Sequence, residues 1–172
     1  MSSHSPTTMT IATRSTQTLR TLLHTRRTAT LGTQPLQTAE APGLALVPYA
    51  IDAVGSCLVL LVSGVATHSR QMQAHAEVSL LVAQGESGQH LLHVHERVSI
   101  IGEAKTPVPG SAAWGNARFA YLRRFPDAAS MTQLGDFRIV CIVPWQARHI
   151  SGFGAARQVD DVELRALLAS PH

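Results

Sequence analysis

The feature that most constrains this chain is a succession of short apolar runs, rich in β-branched residues and divided by turn residues, with only brief helical stretches between them. TATLGT (28–33), LALVPYAI (44–51), CLVLLVS (57–63), VSLLVA (78–83) and GDFRIVCIVPWQARHI (135–150) read as strands, the last with a break at Pro144. LLHVHERVSIIGEAK (91–105) reads as one long strand or as two separated by a kink near Glu96. Asp52 to Ser56 form a turn between the second and third runs, a hairpin signal longer than a two-residue loop. Pro48 has no amide donor, so its strand should hold an edge, a bulge or a place where a ligand meets the backbone.

Helical spacing is confined to a few places. STQTLRTLLHTRR (15–27) sets Leu19, Leu22 and Leu23 on one face and ends on basic residues, which suits the negative end of a helix dipole. GVATHSRQMQAHAE (64–77) is a loop leading into a short helix that Thr67 or Ser69 would cap. AAWGNARFAYLRRF (112–125) is a further helix, followed by a turn from Pro126 and Asp127, and VDDVELRALLAS (159–170) is a capped terminal helix. SGFGAAR (151–157) is a Gly-rich turn. Strands and helices do not alternate as in βαβ units, so the expectation is a mainly β barrel with short peripheral helices. Residues 1–13, rich in Ser and Thr, are expected to be a flexible leader ahead of one domain over 14–172.

Composition narrows the function. A net charge of +3 is spread along the chain and aromatics are only 5%, so the basic stripe with interleaved aromatics of a nucleic-acid binder is missing. No run approaches the ~20 apolar residues that span a bilayer. The leader has no continuous apolar segment of the secretory kind, and the expected location is the cytoplasm. Cys57 and Cys141 each sit inside an apolar run and read as buried thiols.

Three segments have the residue types of a ligand site. Ser63 at a strand end, followed by Thr67, His68, Ser69 and Arg70 at a helix start, offers hydroxyls, free amides and a guanidinium to a phosphate; an ordinary solvated helix start is the alternative. VPYA (47–50) presents backbone at Pro48 and Tyr49, to a planar ligand or as a bulged edge. SGFG flanks Phe153 with two glycines, as a close approach or a plain turn. His93 and His95 share a strand face near His90, but no cysteine or paired acid joins them, so no metal is expected. Catalytic motifs of the Gly-x-Ser-x-Gly, HExxH and phosphate-loop kinds are absent, as is a carboxylate pair. An enzyme of this composition would rely on a cofactor.

Taken in order, ATLGT, LVPYAID, GSCLVLLVSGVATHSRQMQAHAEVSLLV, RVSIIGEA, ARFAYLRRFPDAA, GDFRIVCIV and SGFGAAR resemble the FMN-binding split-barrel superfamily typified by pyridoxamine 5′-phosphate oxidase. The likeness is greatest to its haem-utilisation branch, the HugZ-like proteins. The resemblance implies a six-stranded Greek-key split β-barrel that forms a homodimer, with FMN in grooves shared between subunits. It places Pro48 and Tyr49 beside the flavin ring, and Ser63, His68, Ser69 and Arg70 at the phosphate. Arg97 would lie near the flavin or be structural, and Phe153 near the subunit interface.

The chain departs from the family pattern at several points. His68-Ser69-Arg70-Gln71 replaces His-Thr-Arg-Asn, His75-Ala76 replaces Asp-Pro or Asn-Pro, and the Arg-x-His of the vitamin enzyme is not evident. Longer haem-degrading members have a C-terminal extension that supplies an iron-ligating histidine, whereas this sequence reaches His172 soon after one helix. The expected function is an FMN-dependent oxidoreductase of unassigned substrate, its flavin at the dimer interface. The alternatives are a haem-binding or haem-degrading protein, with His24, His68 or His149 on the iron, and a non-catalytic flavin-binding sensor or store.

Overall fold

A computed structural model describes residues 6–85, 95–152 and 154–169, with side chains from Arg14 onward. Its elements run α1 (Pro6–Thr25), β1 (Thr28–Thr33), β2 (Gly43–Pro48), β3 (Ala50–Asp52), β4 (Cys57–Ser63), α2 (Thr67–Ala74), β5 (Glu77–Ala83), β6 (Arg97–Lys105), α3 (Ala112–Arg124), β7 (Phe137–Ile150), β8 (Ala156–Asp160) and α4 (Asp161–Ala169). Short 3-10 turns at Pro126–Ala128 and Met131–Gln133 join α3 to β7.

The sheet order is β2-β1-β5-β6-β7-β4-β3, every pairing antiparallel, with β8 appended to β7. β2 and β3 are two halves of the run LALVPYAI, interrupted at Tyr49, and they form the two opposite edges of the sheet. One continuous segment thus pairs with β1 through its first half and with β4 through its second. This is how a strand series with no strict helical alternation curls into a split barrel. Six principal strands follow, as expected, once β2 and β3 are taken as one; β8 falls where the sequence suggested a turn running into the last helix.

Pro48 lies on an edge strand, where its missing donor costs no ladder hydrogen bond. The expected break at Pro144 is a bulge instead: β7 continues, and its pairing with β6 steps from Ile101–Gln146 to Gly102–Pro144. Gly102 is needed there, since a Cβ would stand 2.8 Å from the Val143 carbonyl oxygen. α1 begins at Pro6, so it extends into the segment expected as a leader; residues 1–5 of that segment lie outside the described residues.

β4 is buried on both faces, and this divides the core. Leu58, Leu60 and Val62 point into the barrel with Leu31, Leu80, Ile100 and Ile142. That interior is closed by Leu19, Leu22 and Leu23 of α1 and by Leu164, Leu167 and Leu168 of α4. Each such leucine stabilises the fold by about 1.5–3 kcal/mol relative to exposure. Cys57 and Val59 point the other way, under Ala117 and Tyr121 of α3. No described helix is long and apolar enough to cross a membrane.

Candidate functional site

β4 delivers Ser63 to the start of α2, and β7 begins beside it, since Ser63 is paired with Phe137. A phosphate cradle here would need free donors, and several of the described donors are engaged within the chain. Ser63 Oγ donates to Asp136 Oδ2 at 2.5 Å, and the Gly64 amide donates to the Asp136 carbonyl at 2.6 Å. Ser69 Oγ donates to the Ser63 carbonyl at 2.6 Å, and the amides of Ser69 and Arg70 both turn back to Ala66. The helix is preceded by Ala66 with no side-chain cap, so neither Thr67 nor Ser69 caps it. Arg70 points to solvent. A phosphate at this point would meet the carboxylate of Asp136, a like charge beside the hydroxyl meant to bind it. Of the residues expected at the FMN phosphate, Ser63 and Ser69 are engaged within the chain, while the Arg70 guanidinium stays exposed.

The remaining expected site residues are dispersed. Tyr49 is fully buried, and its hydroxyl donates to the Leu23 carbonyl at 2.6 Å, tying the strand interruption to the end of α1. Its side chain belongs to the core. Its hydroxyl pKa is pushed far above the tyrosine range by burial, against the opposing Arg124 and Arg26. Pro48 is exposed and pairs with Thr28. Arg97 opens β6 opposite Ile150, at the far end of β7 from Ser63, and donates to the His95 carbonyl at 3.1 Å. Phe153 lies outside the described residues, as do His90 and His93. Gln71 is buried and accepts from Thr33 Oγ1 at 2.6 Å, so the longer amide in place of the family's asparagine fastens α2 to β1.

A groove adjoins this segment, and Ser69 is among the residues that line it. A cavity of about 220 Å³ lies between α2 and the strands β6 and β7, walled by Val62, Met72, Ala104 and Val140. It shares Thr106 and Arg138 with a second cavity of about 490 Å³ lined by Trp114, Leu134 and Phe137. Together they make an apolar trough with one guanidinium midway, within the size range of cofactor sites. Arg138 has no ion pair among the described residues, and its Nε approaches Gly64, where a Cβ would stand 3.5 Å away. Such a trough suits a flat, largely apolar ligand with an anionic edge. Apart from Ser69, the groove residues were not singled out from the sequence. Arg138 pairs with Val62 and so lies on the inner face of β7 with Val140, at the open end of the barrel.

The histidines separate clearly. His149 is fully buried, with Nε2 2.7 Å from Glu96 Oε1 and Nδ1 3.4 Å from Ser15 Oγ, so both ring nitrogens are occupied. His24 Nε2 faces the Leu167 carbonyl at 3.0 Å. His68 is half-buried beside Ser69, and desolvation lowers its pKa, which favours the neutral imidazole that ligates metals. Among the described residues no group of three His, Cys, Asp or Glu side chains could hold a metal ion.

No protein-family model matches the chain. It is 26% identical over 140 residues to the haem oxygenase HutZ of Vibrio cholerae, covering 81% of this chain and 77% of that one. Over 138 residues it is 30% identical to the chloroplastic haem oxygenase HOZ of Arabidopsis thaliana, covering 80% of this chain and 40% of that protein. The haem-binding protein of Mycobacterium smegmatis superposes with a TM-score of 0.76 at 24% identity, over 88% of this chain and 60% of that one. A proposed pyridoxamine 5′-phosphate oxidase from Listeria innocua superposes at 0.55 with 13% identity, over 80% and 98%. The chain thus spans less than half of the plant protein, about three fifths of the mycobacterial one and most of HutZ. The split-barrel resemblance read from the sequence holds, and it extends to both the oxidase-like and the haem-utilising proteins.

Proposed function

We propose that this split-barrel chain, whose named sequence relatives are haem oxygenases, is itself a haem-binding protein of the haem-degrading kind. The observation that carries the reading is the likeness to HutZ at nearly matching shares of both chains. Two proteins of comparable length are aligned over most of their extent, so the expectation that haem chemistry requires a longer chain loses its force.

Haem fits the trough in its chemistry. Trp114, Leu134 and Phe137 would face an apolar macrocycle, and Arg138, with the Asp136 carboxylate nearby at Gly64, would meet a propionate. His68, at the start of α2 and outside the lining of both cavities, is the iron ligand to be tested. Bound haem supplies the iron centre at which oxygen is activated, and the macrocycle is itself the substrate. The protein's part is to exclude water from one face of the ring and to fix its anionic edge. A second copy of the chain completes the site in this reading. Leu46 and Leu81 flank Thr30 in one cross-strand row of the outer sheet face, and Leu44 adjoins them, exposed to 78%. An apolar strip of this kind on a sheet edge supports pairing with a like surface.

The test is a haem titration of wild type, His68→Ala and His24→Ala, read at the Soret band under oxidising and reducing conditions. A histidine-ligated spectrum lost in one of the two variants assigns the ligand. No Soret shift in the wild type would overturn the proposal.

A further inference from the structure

Asp52 ends β3 directly opposite Cys57 of β4, while Cys141 of β7 pairs with Lys105 of β6. Residues paired in this way share a face, so all four project from the sheet face that α3 partly covers. They line a cavity of about 430 Å³. Its walls are mostly apolar, from Cys57, Cys141, Val143 and Ala113, and exposed Val54 and Asn116 stand at its mouth. Asp52 is the exception in that lining. It is only 5% exposed, and its Oδ1 accepts from the Val54 amide at 3.0 Å. Oδ2 has neither a hydrogen bond nor an ion pair among the described residues. It borders a small space beside Gly55, where a Cβ would stand 2.8 Å from Oδ2 and 3.4 Å from Cys57 Sγ.

We infer that this cavity binds a small protonated amine, with its ammonium group on Asp52 Oδ2 and its apolar body along Cys57, Cys141 and Val143. A carboxylate taken out of water is costly until it is paired. The buried side-chain atoms that lack both solvent and a partner among the described residues are Arg26 Nε and Arg124 Nε. Oδ2 is not one of them, so it is reached from the cavity. Lys105 does not answer it: β6 is three strands from β3, roughly 14 Å along the sheet, and Lys105 Nζ lies 3.1 Å from Glu103 Oε2. A hard metal ion needs several oxygen ligands, and among the described residues no group of three His, Cys, Asp or Glu could hold one. An anion would be repelled, and a neutral apolar ligand would leave Oδ2 buried and unpaired. An ammonium group makes a charge-assisted hydrogen bond to it instead.

The volume lies within the range of small-molecule pockets, and one polar group in an apolar lining is the composition that orients such a ligand. The site does not rest on the haem reading, since the cavity shares only Thr106 and Pro107 with the trough. Gly55 keeps the head of the cavity open, because a methyl group there would fill the space that Oδ2 and Cys57 Sγ border.

The experiment titrates the full, haem-free chain with phenethylamine and follows the backbone amides by NMR. Phenethyl alcohol and hydrocinnamate serve as the neutral and anionic counterparts. The expected result is saturable shifts at residues 52–57 and 141–143, with the alcohol and the carboxylate bound at least about tenfold more weakly. Asp52→Asn keeps an acceptor for the Val54 amide and should weaken the amine by about tenfold to a hundredfold, the range of one hydrogen bond to a charged group. Gly55→Ala should weaken it as well. The comparison of amine with alcohol on wild type stands even where a variant fails to fold. No saturable shift with the amine, equal affinity for the alcohol, tighter binding of the carboxylate, or an unchanged amine affinity in Asp52→Asn would overturn the assignment.

Discussion

Replacing Tyr49 with phenylalanine separates a core residue from a cofactor contact. The ring stays buried, and the change removes only the hydroxyl that donates to the Leu23 carbonyl at 2.6 Å. Leu23 lies in the last turn of α1, where carbonyls have no helical partner of their own. The loss leaves a buried acceptor unpaired, which costs about 1–2 kcal/mol after allowing for the hydroxyl no longer being desolvated. For a chain of this size that corresponds to a fall in Tm of about 2–8 °C. Urea unfolding followed by circular dichroism would show a lower midpoint with an unchanged slope, because no additional surface is exposed. Haem affinity should be unchanged. An unaltered midpoint together with an altered cofactor affinity would refute the argument, by placing the Tyr49 hydroxyl at a ligand and not at α1.

Other consequences are open to the same kind of check. Arg138→Ala should weaken haem binding about fivefold to tenfold, as fits one charge-assisted contact at a partly exposed position, and an unchanged titration would remove Arg138 from the site. Gly43→Ala should destabilise the fold by about 1–3 kcal/mol through overpacking, because its Cβ would stand 2.5 Å from Gln71 Oε1 and 2.7 Å from Thr33 Oγ1. The penalty should shrink when Gln71 is also changed to Ser, and equal penalties in the two backgrounds would contradict that contact. The Arg157 guanidinium, at 2.7 Å, holds the Glu163 carboxyl below its usual range, with Thr16 assisting. A depressed folded pKa stabilises above the unfolded carboxylate pKa, and that stabilisation is lost as pH falls through the folded value. Glu163→Gln should therefore flatten part of the acid limb of stability measured from neutral pH downward, and a parallel curve would contradict it.

Much of the barrel was legible because its strands are set by local signals. β1 and β4 match TATLGT and CLVLLVS residue for residue, since β-branched runs between turn residues leave little choice. Ser111 caps α3 as its sequence allows, accepting from the Trp114 amide at 3.2 Å. The interruption at Tyr49 was not legible, because it depends on α1 returning to receive the hydroxyl, a contact 26 residues away in sequence. β8 was missed for a similar reason: ARQVD has little alternation, and its strand form comes from pairing with β7 and from Arg157 bonding Glu163.

Ser63 and Ser69 have the residue types of a phosphate cradle. The partner of Ser63 is Asp136, 73 residues distant, and no local pattern around Ser63 could announce that carboxylate. Arg138 and Thr106 likewise become site residues only when β6 and β7 are laid beside α2.

The most direct test of the account is a pair of titrations on the purified wild-type protein, one with haem and one with FMN, each followed by desalting and a visible spectrum. Haem retained with a shifted Soret band, and flavin washed away, is the predicted result. Flavin retained through desalting with no Soret shift on adding haem would contradict the haem assignment.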